Sequence, residues 1–118
     1  MGITVTIYHN PRCSKSRQTL ALLRERGFEP EIIEYMKTPP EHQELKRIID
    51  RLGLKVREVM RTGEAEFREN GLDDKTLDDD ALIQAMCQHP RLIQRPIIIV
   101  DERARIGRPP ESVIEILP

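Results

Sequence analysis

The chain has 118 residues, 38% apolar and 33% charged, enough for one modest core under a well-solvated surface, and this length predicts a single domain spanning residues 1–118. Lys and Arg number 19 against 20 Asp and Glu, a formal charge of -1, and aromatics are 3% with no Trp, which excludes a broadly cationic nucleic-acid binder carrying base-stacking platforms. The longest aliphatic runs, such as Ile97-Ile98-Ile99-Val100, fall far short of the roughly 18 residues that a membrane span needs.

Residues 3–8 alternate apolar and polar side chains and are rich in β-branched types, the pattern of a strand that buries Ile3, Val5 and Ile7. Residues 9–13 (HNPRC) carry turn chemistry. A helix begins at Ser14, places Leu20 and Leu23 on one face and stops at Gly27. Glu31–Tyr35 reads as a second short strand, so strand, helix and strand form a βαβ unit with parallel strands. Thr38-Pro39-Pro40-Glu41 has the form of a capping box with Pro in the first turn. Leu45, Ile48, Ile49 and Leu52 follow at helical spacing, and Gly53 ends that helix. Further helices are expected over Val56–Met60, Ala65–Asn70 and Asp79–Gln88, with Pro90 closing the section. Residues 97–100 and 104–106 flank Asp101-Glu102 as a hairpin. Pro109-Pro110 opens a last amphipathic helix through Val113, Ile114 and Leu117. The order βαβ, helical insert (about 38–90), ββα predicts an α/β, thioredoxin-like fold: a four-stranded mixed sheet with helices on both faces.

Two cysteines, Cys13 and Cys87, are too few for a disulfide scaffold and suit a reducing compartment. With strand-like alternation from Ile3 and no basic segment before it, no signal peptide is expected, and the reading is cytoplasmic. Met1-Gly2 with Thr6 formally matches a myristoylation pattern, but a strand starting at Ile3 would not leave that end free. Two Cys and three His are dispersed without zinc-ligand spacing, so no metal and no bound cofactor are expected.

Net neutrality conceals a segregation of charge. Residues 9–17 hold Arg12, Lys15 and Arg17 with no carboxylate, a net +3. Residues 91–108 hold five Arg against Asp101 and Glu102, again +3, whereas residues 64–80 carry -6. Asp78, Asp79 and Asp80 suit a helix start, where negative charge complements the dipole. In a βαβ…ββα sheet the loop after the first strand and the segment leading into the third can lie side by side. The two basic segments would then meet a small anion together, and the planar guanidinium fork matches a tetrahedral oxyanion.

Cys13 stands between a strand and a helix, at or near the helix N-cap, where unpaired amides and the helix dipole converge. Such settings lower a thiol pKa from about 8.5 to roughly 3.5–7.5, enough to make a thiolate nucleophile at neutral pH. Ser16 can place a hydroxyl near the sulfur. Because position 16 is not Cys, no local disulfide can close, and an oxidised Cys13 must be resolved by an external thiol or a distant Cys. Cys87, beside Met86 and near Leu82 and Ile83, reads as a packing residue.

The segment Tyr8-His9-Asn10-Pro11-Arg12-Cys13-Ser14-Lys15-Ser16-Arg17 resembles the HNPxCxxSR active-site segment of the glutaredoxin-dependent arsenate reductase family. The resemblance continues through Tyr35–Pro40, Val59-Met60-Arg61, Asp80–Ile83, His89-Pro90, Ile93–Ile97, Arg105–Glu111 and Ile116-Leu117-Pro118. It covers essentially the whole chain in the family's order and is closest to a short-form subgroup. It implies that Cys13 is the nucleophile, that His9 helps keep it ionised, and that Ser16 is a hydrogen-bond partner of the sulfur. Arg61, Arg95 and Arg108 are implied as the oxyanion triad, with Asn10, Arg17 and Pro96 in support and a cis bond before Pro96. The implied substrate is arsenate or a similar oxyanion, with glutathione as co-substrate, glutaredoxin as protein partner and the chain acting as a monomer. Two alternatives stand beside this reading. One is a redox-responsive transcription regulator that binds RNA polymerase, disfavoured by Ser16 where such proteins commonly carry a second Cys. The other is a glutathione-linked thiol-disulfide reductase with another substrate.

Overall fold

A computed structural model describes residues 3–118; Met1 and Gly2, and with them the myristoylation-like pattern, lie outside the described residues. Strands β1 (Val5–Tyr8), β2 (Glu31–Ile33), β3 (Ile97–Val100) and β4 (Arg103–Ile106) form one sheet in the order β2-β1-β3-β4. β1 runs parallel to β2 and antiparallel to β3, and β3 is antiparallel to β4, so the expected mixed sheet is present. Helix α1 (Ser14–Glu25) makes the β1–β2 crossover. It and a carboxyl-terminal 3₁₀ helix (Pro110–Ile116) belong to one core with the strands. Val5, Ile7, Ile98 and Val100 meet Leu23, Val113 and Ile116 there, with Phe28 and Leu20 packed at its edge. Each such fully buried aliphatic chain contributes about 1.5–3 kcal/mol.

These elements belong to one compact unit, the described residues up to Thr38 with Arg95–Pro118; Pro39–Gln94 form a second. In the second unit α2 (His42–Leu52) buries Leu45, Ile48, Ile49 and Leu52 along one face. It ends where Gly53 takes the left-handed conformation, φ 69°, that a Cβ makes costly. A 3₁₀ turn (Val56–Val59), α3 (Ala65–Glu69), α4 (Asp79–Gln88) and a 3₁₀ turn (Pro90–Leu92) follow. Asp78 caps α4 by accepting from the Ala81 amide at 2.9 Å, and Asp80 pairs with His42 at 3.2 Å, so the aspartate run serves the helix start as expected.

Four expectations need correction. Ile3 precedes β1 and is 46% exposed, because strand pairing begins only at Val5, opposite Val100. Glu34 and Tyr35 lie beyond β2, in the turn that follows it. The Thr38–Glu41 capping box does not form. Thr38 instead donates its amide and hydroxyl to the Glu34 carbonyl, closing that turn, and α2 starts only after Pro40 with Glu41 as its N-cap. The last helix is 3₁₀, and it buries Pro110, Val113 and Ile116, a spacing of three that matches three residues per turn.

Candidate active site

The strand register brings three loops to one end of the sheet. Tyr8, the last residue of β1, pairs with Ile97, the first of β3, and Ile97 pairs in turn with Ile106, the last of β4. Residues 9–13, Arg95-Pro96 and Gly107-Arg108 therefore leave the sheet side by side. Backbone bonds secure the arrangement: the His9 amide donates to the Ile33 carbonyl at 2.8 Å, and the Gly107 amide to the Pro96 carbonyl at 2.9 Å. Both Arg95–Pro96 and Arg108–Pro109 are cis; only the first is anticipated by the motif.

Asn10 shapes the loop. Its carbonyl accepts from the Cys13 amide at 2.9 Å, and its side-chain oxygen accepts from the Arg12 amide at 3.0 Å. Arg17 reaches back from α1 to donate to the Pro11 carbonyl at 2.9 Å. Cys13 becomes the N-cap of α1 with extended backbone angles, φ -96° and ψ 123°, and its side chain makes no capping hydrogen bond of ordinary geometry. The cysteine is largely buried, and burial, the largest single influence, pushes its pKa up. The Ser16 amide, the Arg95 guanidinium, the Lys15 amide and the Arg108 guanidinium all push it down. Together they win, so the sulfur titrates below an ordinary thiol.

Ser16 meets the sulfur through its backbone amide. Its hydroxyl accepts from the Asn10 amide at 3.0 Å and shares a 2.6 Å bond with His9 Nδ1, whose direction depends on the imidazole tautomer. His9 is itself buried. Burial holds its pKa below the usual imidazole value; Glu34 opposes that and Arg24 and Arg17 reinforce it. His9 thus acts on the loop as a hydrogen-bonding group in contact with Ser16. The influence of Glu34 and Arg24 on His9 is invisible in the linear motif, because it arises where α1 and the turn after β2 flank the loop.

Arg95 enters the site from the segment that leads into β3. Its Nε and Nη1 are buried and have no hydrogen-bond partner among the described residues, while its carbonyl accepts from Arg108 Nη1 at 3.3 Å. Two orphaned donors on a cation are costly, about 1–3 kcal/mol each or more, and an anion supplying acceptor oxygens removes that cost. With the exposed Arg108 and the amides at the head of α1, they are an arrangement that can take up an oxyanion beside the Cys13 sulfur. Arg61 belongs to the other unit, where its amide donates to the Leu92 carbonyl at 2.7 Å and its Nη1 pairs with Glu64 at 2.6 Å. Cys87, in the same unit, is half-buried, and burial with Glu44 raises its pKa. Among the described residues no cluster of three or more His, Cys, Asp or Glu could hold a metal ion, and no helix is long and apolar enough to cross a membrane.

The ArsC family model matches residues 8–116. The chain is 51% identical to the uncharacterised protein YfgD of Escherichia coli (strain K12) over 114 residues, 96% of each chain. It is 46% identical to an arsenate reductase of Neisseria meningitidis serogroup A over 114 residues, 96% of this chain and 97% of that one. Among solved structures, an arsenate reductase from Vibrio cholerae overlays with a TM-score of 0.97 at 52% identity, covering 99% of this chain and 100% of the other. The fold is accordingly the thioredoxin-like α/β fold of these relatives.

Proposed function

The chain belongs to the ArsC family, and on that premise we propose that it is an arsenate reductase whose Cys13 thiolate attacks arsenate in the Arg95–Arg108 cradle. The single observation that carries this reading is the pair of orphaned donors on Arg95, a guanidinium whose charge also lowers the Cys13 pKa. An anionic sulfur repels an anionic oxidant unless cations offset both charges. Guanidinium groups and helix amides fixed in advance do so without reorganising during the reaction.

In the proposed sequence the Cys13 sulfur forms a bond to pentavalent arsenic, and an arsenate oxygen leaves as water after protonation. The glutathione thiolate then bonds to the arsenic and displaces a second oxygen, which also leaves as water after protonation. A glutaredoxin thiolate then takes the glutathionyl sulfur as a mixed disulfide, and the S–As bonding pair stays on arsenic, which becomes trivalent. Water releases arsenite and returns Cys13. The external thiols follow from Ser16 at the fourth position of the motif, which leaves Cys13 without a local thiol partner. Asn10 and Arg17 hold the loop, Ser16 and His9 hold its inner face, and Pro96 anchors the arginine segment. Arg61 is assigned to the oxyanion on the family motif alone. The whole chain is taken as one functional domain, monomeric and cytoplasmic, with no bound cofactor.

The test is glutathione oxidation measured with arsenate and glutaredoxin present. We expect turnover that requires all three and disappears in Cys13→Ser. Equal rates in the wild type and Cys13→Ser would end the proposal.

A further inference from the structure

Gly107 is the one glycine among the described residues where an added Cβ has no room. It would stand 2.6 Å from Thr19 Oγ1, 3.1 Å from Thr19 Cγ2 and 2.9 Å from Pro96 Cγ, whereas Gly27, Gly53, Gly63 and Gly71 have nothing within 4 Å. Its backbone is not in the left-handed region, so conformational freedom does not explain the glycine. Space does. The atoms around it have little freedom to give way. Thr19 is fully buried and its hydroxyl donates to the Lys15 carbonyl at 2.8 Å, with the Gly107 carbonyl a further 3.5 Å contact. Pro96 is a closed ring whose carbonyl accepts from the Gly107 amide at 2.9 Å.

We propose that Thr19, Gly107 and Pro96 form a spacer-free contact between α1 and the two arginine-bearing loops, making Thr19 and Gly107 positioning residues of the site. The contact sits where all three segments converge. Thr19 belongs to the helix whose N-cap is Cys13. Pro96 follows Arg95, and Gly107 precedes Arg108. The Gly107–Pro96 bond makes the two loops one body, and Thr19 sets how near that body stands to the helix. A methyl group at Gly107 pushes the loops away from α1, so both guanidinium groups recede from the sulfur together. Coulombic support weakens with distance, and water that enters the gap weakens it further. Thr19 also ties the Lys15 carbonyl, on the residue whose amide faces the sulfur, so helix and loops are locked at one point.

The inference rests on Cys13 being the working nucleophile, and its test reads the sulfur directly, without arsenate or reductant. A missing arsenate activity therefore leaves it standing, and its own failure leaves the arsenate reading standing. Rates of Cys13 alkylation are measured against pH in a Cys87→Ser background, with thermal unfolding in parallel. Gly107→Ala is expected to raise the midpoint by roughly half a pH unit, about threefold less thiolate on its acid side. Thr19→Ala added to Gly107→Ala removes two of the three close approaches and is expected to bring the midpoint most of the way back. Thr19→Leu, with a longer and more adaptable chain, makes the same push from the helix side and should raise the midpoint even if Gly107→Ala does not fold. Val5→Ala, in the same core, controls for destabilisation: it should lower the melting temperature and leave the midpoint unmoved. A midpoint that stays at the wild-type value in Gly107→Ala or in Thr19→Leu, or one that moves equally in Val5→Ala, overturns the proposal.

Discussion

At Cys13 burial and charge oppose each other, and the balance sets the chemistry. Burial alone would leave a neutral thiol; the Ser16 and Lys15 amides and the guanidinium groups of Arg95 and Arg108 tip it toward thiolate. Because the folded pKa is lowered, alkylation should rise as pH climbs through a midpoint below that of an ordinary thiol and then level off. Arg108→Ala should move that midpoint up, and a pH series of alkylation rates checks the direction. The same arginines are expected to bind the oxyanion. Arg95→Ala should weaken arsenate protection of Cys13 by roughly ten- to a hundredfold, the worth of about 1.5–3 kcal/mol in charge-assisted hydrogen bonds. Arg24→Ala should leave protection nearly unchanged, since Arg24 is exposed and paired with Glu29 at 2.9 Å. Equal losses in the two variants would remove the case for the cradle. The motif named Cys13, Arg95 and Arg108, but only coordinates show that Ser16 offers its amide to the sulfur and its hydroxyl to His9 and Asn10.

Helices and strands were legible wherever a side-chain period met a stop signal. α2 shows this: Leu45, Ile48, Ile49 and Leu52 mark one face, and Gly53 supplies the left-handed exit. Elements blurred where competing local hydrogen bonds decided the boundary. Thr38 had the right type for an N-cap, yet the nearby Glu34 carbonyl captured it. Pro110–Ile116 looked helical from Val113, Ile114 and Leu117, but the core took Pro110, Val113 and Ile116 and so selected the tighter helix. At α4 the cap is as the aspartate run suggests. Asp78→Ala should therefore cost about 1 kcal/mol in urea unfolding, and the Cys13 alkylation midpoint should stay where it is.

Across the whole molecule the sheet order has one consequence that outweighs the rest. Pairing β1 antiparallel to β3, and β3 to β4, places residues 8, 97 and 106 together, and the candidate site collects at that end. The core that maintains this order is separable from the chemistry. Ile98→Ala, at a fully buried position in β3, should cost about 2–5 kcal/mol in denaturant unfolding, while the folded protein keeps its Cys13 midpoint. A midpoint that shifts with this core variant would mean that the register itself is soft. Alternation, helical spacing, stop residues and the loop HNPRCSKSR were enough to determine the element order and the mixed sheet and to single out Cys13 as the candidate nucleophile, because each is written in neighbouring residues. Distances between segments far apart in the chain were not written there. The approach of Thr19 to Gly107, the orphaned donors of Arg95 and the lowered pKa of His9 arise only when separated segments pack, since burial and proximity are properties of the folded whole.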